Sequence, residues 1–112
     1  METTRQQKIA RLLQKELATI FQKESRSLAA GALVTVTRVR ISPDLSVAKV
    51  YLSIFPVKDI QKMLEDIKEK TKEIRGLLGK GVKEQLRIVP ELVFYIDDSL
   101  DYADKIDRLL KK

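Results

Sequence analysis

The stretch Leu86-Arg87-Ile88-Val89-Pro90-Glu91-Leu92-Val93-Phe94-Tyr95-Ile96-Asp97-Asp98-Ser99-Leu100 decides the fold. A helical pattern runs into it and must stop, because Pro90 pushes Val89 toward extended backbone. Leu92, Phe94 and Ile96 then alternate with Val93 and Tyr95, which is the period of a strand. Asp97, Asp98 and Ser99 are capping residues for a short last helix. Leu100, Ala103, Ile106, Leu109 and Leu110 supply its apolar stripe. A strand set between two helices predicts a mixed domain of the α+β class.

Upstream, Ile9, Leu12, Leu13, Leu17, Ile20 and Phe21 recur at helical spacing. They predict a first helix over about residues 4–24, with Thr3 or Thr4 as its cap. Ser25 to Gly31 breaks that pattern and reads as a loop. Leu33 to Ile41 is rich in β-branched residues and reads as a strand. Ser42-Pro43-Asp44-Leu45 is turn chemistry, and Ser46 to Phe55 reads as the partner strand of an antiparallel hairpin. Its Ala48, Val50, Leu52 and Ile54 share one face, and Val47, Lys49, Tyr51 and Ser53 the other. In the first strand Val34 and Val36 point with Arg38, against Val39 and Ile41, so a bulge is expected to switch the register.

Helical spacing returns from about Lys58 to Leu86. Such a span is long for one helix in a small domain. Gly76, Gly79 and Gly81 lie inside it, and each interior glycine costs about 1 kcal/mol against alanine. A kink or break is therefore expected within residues 70–81. The order becomes α-β-β-α(kink)α-β plus the short last helix. It describes one domain over residues 1–112, a three-stranded sheet with helices packed on one face. Tyr51, Tyr95, Lys49, Arg38 and Arg40 are expected on the open face.

Composition narrows the chemistry. The 112 residues contain neither cysteine nor histidine. Disulfides and thiolate metal sites are excluded, and the commonest general base and metal ligand is missing. No catalytic residue, metal site or cofactor is expected. Asp97, Asp98, Asp101 and Asp104 read as helix caps in preference to a metal cluster. No run is long and apolar enough for a membrane span, and the start lacks a secretory signal pattern. A cytoplasmic protein with no membrane partner and no small-molecule substrate is expected.

The formal net charge is +6. It divides as +5 over residues 1–49, +3 over residues 50–88 and −2 over residues 89–112. Basic surfaces bind polyanions because Lys and Arg release counterions condensed on phosphates. Two candidate surfaces emerge besides the open sheet face with Arg38, Arg40 and Lys49. Arg5, Lys8, Arg11 and Lys15 form a ridge on the first helix, with the last three sharing a face. Lys70, Lys72, Arg75, Lys80, Lys83 and Arg87 crowd the kinked region. Aromatic residues make up only 5% of the chain, against a platform that stacks several bases. Gly76-Leu77-Leu78-Gly79 matches a bare G-x-x-G, the backbone clamp of KH modules. Its middle leucines lie on the apolar stripe and read as core packing instead.

Several of these motifs, in this order, resemble the bacterial ribosome-binding factor A family. They are Val34 to Leu45 (V-T-V-T-R-V-R-I-S-P-D-L), Ala48 to Ser53, Ile74-Arg75 with Leu77 to Lys80, Leu86 to Leu92, Phe94, and Asp97 to Leu100. The resemblance covers nearly the whole chain. It implies a type II KH-like fold in which a helix kink replaces the G-x-x-G loop. It further implies a non-enzymatic factor that binds the small (30S) ribosomal subunit late in its assembly. Such factors aid maturation of 16S ribosomal RNA, including its 5′ end, and support growth in the cold. The family's kink is built around Ala-x-Gly, and here that position holds Lys70-Thr71-Lys72, which places the expected kink at Gly76–Gly81 instead. A monomer is expected. The alternative is a small RNA- or protein-binding adaptor with no ribosome specificity.

Overall fold

The computed structural model describes residues 3–56 and 58–97. Its elements are α1 (Thr4–Lys23), α2 (Ser25–Ala29), β1 (Leu33–Ile41), β2 (Val47–Phe55), α3 (Ile60–Glu69), α4 (Thr71–Val82) and β3 (Glu91–Ile96). The expected last helix from Asp98 onward lies outside the described residues.

The first helix starts where a capping box starts it. Thr3 Oγ1 accepts from the Gln6 amide at 3.1 Å, and the Thr3 amide donates to Gln6 Oε1 at 2.8 Å. Two of the orphan amides of the first turn are thereby satisfied. Gln6 is 4% exposed, and its Nε2 also donates to the Ile41 carbonyl at 2.9 Å. One side chain thus ties the entry of α1 to the end of β1.

The loop expected at Ser25–Gly31 is in fact a short helix over its first residues. Leu28 and Ala29 are buried, so this turn contributes to the core instead of bridging over it. It ends at Ala30 and Gly31, both with positive φ, where the Gly31 amide donates to Ser25 O at 2.9 Å. Glycine takes this left-handed backbone without steric cost. Helical spacing cannot be read from a single turn, which is why the sequence pattern missed it.

The sheet order is β1-β2-β3, with β1 and β2 antiparallel and β2 and β3 parallel. Ala48, Val50, Leu52 and Ile54 face the core as the alternation predicts. The expected bulge is present between Val36 and Arg38. It sends Val34, Val36, Val39 and Ile41 all to the buried side despite their uneven spacing. Gln14 of α1 reaches this irregularity and donates to the Val36 carbonyl at 3.0 Å.

The core lies between the sheet and the helices. Phe21 and Phe94 meet edge to face at 6.2 Å, and Leu13, Leu17, Leu52, Ile67, Ile74 and Leu78 are fully buried around them. Each such side chain contributes about 1.5–3 kcal/mol by leaving water. These helices leave the opposite sheet face open.

The helical span breaks at Lys70, not at the glycines, and helix ends at Val82 short of the expected Leu86. The break falls within the expected residues 70–81, but at their start, which corrects the Gly76–Gly81 placement. Two physical causes are visible. Thr71 donates its hydroxyl to the Lys68 carbonyl at 2.6 Å, competing with the helical ladder. Ile67 and Ile74 are both fully buried, but α3 packs on α2 and β3 while α4 packs on α1. One straight helix cannot serve both. Gly76 and Gly79 are not forced by crowding, since an added Cβ at Gly76 would meet nothing within 4 Å and one at Gly79 only Val89 at 3.5 Å.

Candidate nucleic-acid interface

The expected basic residues fall on two opposite sides of the sheet. Arg5, Lys8, Arg11 and Lys15 all stand exposed on α1, as their spacing predicts. Lys72, Lys80, Lys83 and Arg87 are exposed on α4 and the connection beyond it. The two groups belong to one layer because α1 and α4 pack together. Arg5 and Arg87 meet at a cleft of about 410 Å³, also lined by Ile9, Leu45, Leu86 and Ile88. Asp44 is on its rim, so the cleft is not purely cationic.

Two expected contacts are occupied by the chain itself. Arg75 donates through Nη2 to Val89 O at 2.6 Å and through Nε to Pro90 O at 3.1 Å. It pins the turn that feeds β3. Lys70 donates to the Ser27 carbonyl and holds the helix break against α2. Neither role is visible in the sequence, because each partner is distant along the chain.

Arg38, Arg40 and Lys49 are exposed on the other side of the sheet. The bulge aligns Arg38 with Tyr51 and Arg40 with Lys49. The Arg38 guanidinium carbon lies 4.6 Å from the Tyr51 ring centroid, a cation–π contact. Tyr51 in turn stacks on Tyr95, with centroids 5.4 Å apart and planes at 24°. The alternation rule places both tyrosines on this face. Their contact depends on the parallel register of β2 and β3, which no local pattern shows.

The turn between β1 and β2 holds the register of that antiparallel pair. Asp44 Oδ1 accepts from the Ser42 and Ser46 hydroxyls at 2.7 Å each and from the Ser46 amide at 3.1 Å. These bonds lower the Asp44 pKa to about 2, because they favour the carboxylate.

The Gly76–Gly79 segment is helical, with Leu78 fully buried and Leu77 packed against the core. That is the packing role expected of those leucines. Among the described residues no group of three or more Asp, Glu, His or Cys could hold a metal ion. None of the described helices is long and apolar enough to cross a membrane.

Comparison with known proteins agrees with this architecture. The family model of ribosome-binding factor A matches residues 5–110. A ribosome-binding factor A from Cytophaga hutchinsonii is 54% identical over 112 residues, covering all of this chain and 84% of that protein. One from Flavobacterium johnsoniae is 51% identical over 111 residues, covering 98% of this chain and 85% of that protein. The crystal structure of ribosome-binding factor A from Thermus thermophilus superposes with a TM-score of 0.68 at 25% identity, over 81% of this chain and 94% of that chain. A Thermus thermophilus ribosome binding factor A homology model, fitted into a cryo-EM map of its complex with the 30S subunit, gives 0.50 at 26% identity, over 70% and 92%. With its three-stranded sheet, one-sided helices and helix break, this chain belongs to the ribosome-binding factor A family.

Proposed function

We infer that this protein binds the small (30S) ribosomal subunit through 16S ribosomal RNA and assists the late maturation of that RNA, including its 5′ end. The observation that carries the reading is the family match across residues 5–110. The relative fitted into a 30S complex supports the choice of subunit. The action is steric and conformational, not enzymatic. A single domain, monomeric in the cytoplasm, docks on structured RNA and holds it in an arrangement competent for processing.

The exposed cations supply the chemistry. Lys and Arg contact phosphates without reading sequence, which suits docking by backbone and shape. The ridge Arg5, Lys8, Arg11 and Lys15 and the cluster Lys72, Lys80, Lys83 and Arg87 carry most of these contacts. Arg75 and Lys70 serve mainly to position the second cluster, given their bonds to backbone carbonyls.

The test is co-sedimentation with purified small subunits, large subunits and free ribosomal RNA. The wild-type chain should pellet with small subunits only, and affinity should fall steeply as salt rises. Reversing the charge at Arg11, Lys15, Lys80 and Lys83 together should abolish pelleting while the far-UV spectrum stays unchanged. Equal binding to all three targets would instead mark a generic adaptor.

A further inference from the structure

The open face of the sheet holds an arrangement that phosphate docking does not require. Without the bulge at Thr37, strand alternation would turn Arg38 and Arg40 toward the core. The bulge turns both outward, into the rows of Tyr51 and Lys49. The parallel pairing of β2 with β3 then sets Tyr95 beside Tyr51. One row therefore crosses all three strands as guanidinium, phenol ring and phenol ring, with spacings of 4.6 Å and 5.4 Å.

This stack has a closed end and an open end. Arg38 covers the outer side of Tyr51. Tyr95 belongs to the edge strand and is 39% exposed. The adjoining row carries Arg40 and Lys49. Glu91 of β3 lies one row beyond Lys49, and Asp97, just past Tyr95, accepts from the hydroxyl of Thr37, the bulge residue next to Arg38. A flat π-system extending the stack over Tyr95 would have cationic groups alongside for its phosphates. An unpaired nucleotide combines that base and that charge, and every base offers a face to an aromatic ring. A base inside a duplex offers none.

We propose that the row Arg38–Tyr51–Tyr95 is a stacking site for one unpaired RNA base, with Arg40 and Lys49 neutralising the adjoining phosphates. The proposal refines the RNA-binding reading above and rests on it for its setting on the ribosome. It gives the two sides of the domain different tasks. The helical layer follows the backbone of folded RNA, and the sheet face captures a nucleotide that has left its helix.

The test compares two probes of equal length and charge, octaadenylate and an abasic octamer, by fluorescence anisotropy with the full chain. The wild type should prefer octaadenylate by about 5- to 150-fold, the range for loss of one stacked base. Tyr95→Leu should lose that preference and bind both probes alike, whereas Tyr95→Trp should keep it. Equal or undetectable binding of the two probes by the wild type overturns the proposal without recourse to any variant. Retained preference in a folded Tyr95→Leu overturns it as well, and so does a protein ligand that binds this face while neither probe competes. Co-sedimentation of the wild type with small subunits is run in parallel. If the base preference holds while small-subunit binding fails, the ribosomal reading falls and the stacking site stands.

Discussion

The helical layer and the open sheet face both present cations, but they hold them differently. On α1 and α4 the cations stand on exposed helix positions, where long side chains can swing to follow a phosphate. On the sheet Arg38 is laid against Tyr51, and Tyr51 against Tyr95. The first arrangement favours affinity without selectivity, since charge acts at a distance and tolerates misplacement. The second favours discrimination, since stacking needs a planar partner at contact distance. The difference arises from backbone geometry. A helix displays successive cations around a cylinder, whereas paired strands bring side chains side by side in rows.

Three changes probe this difference between the faces, and the one of largest effect strikes both together. Phe94 is a core residue of β3 that packs edge to face on Phe21 of α1, so it joins the sheet to the helical layer. Phe94→Ala should cost about 3–5 kcal/mol in chemical denaturation. Binding to small subunits and to single-stranded RNA should weaken in parallel. A variant that kept one activity at full strength would show that the two faces do not share a foundation.

The second perturbation strengthens one side alone. Gly76 is exposed in the middle of α4, with open space where a Cβ would go. Gly76→Ala should raise stability by about 1 kcal/mol, or roughly 4–8 °C in Tm for a domain of this size. The preference for octaadenylate should not move. If small-subunit binding falls in this more stable variant, the bare backbone at Gly76 is itself part of the contact surface.

The smallest effect concerns the turn that keeps the β1–β2 register. With its pKa lowered to about 2 from an ordinary 3.8, Asp44 is a depressed carboxylate. Its contribution is complete above 3.8 and is lost as pH falls through about 2. Wild type should therefore exceed Asp44→Ala in stability at neutral pH, and the gap should close across that window. A gap that persisted below pH 2 would mean that Asp44 holds the turn without its charge, and no gap at any pH would mean that the Ser42 hydroxyl, which accepts from the Ser46 and Val47 amides, suffices.

Local chemistry made much of this molecule readable. β1 lies at the expected Leu33–Ile41, and β2 begins one residue later than the expected Ser46. Alternation of β-branched residues states which side of a strand is wet, and the uneven alternation around Arg38 announced the bulge. The charged positions of α1 were legible because helix period and solvent exposure coincide. The helix break was less so. Glycine drew attention as the weakest helix former, but tolerated glycines cost only about 1 kcal/mol each. The break went between the fully buried Ile67 and Ile74, where the packing passes from α2 and β3 to mainly α1.

The same division holds for the whole protein. Short-range patterns in the chain were enough for α1, the three strands, their order, the wet and dry side of each strand, the basic character and the family. These follow from interactions a few residues long, where chain connectivity does the placing. Folding in three dimensions set Lys70 and Arg75 on backbone carbonyls, made Gln6 and Gln14 tie α1 to β1, and brought Tyr51 onto Tyr95. Each of these contacts joins segments that are remote along the chain. Their pairing is set by sheet register and helix packing, which are properties of the assembled core and of no single stretch within it.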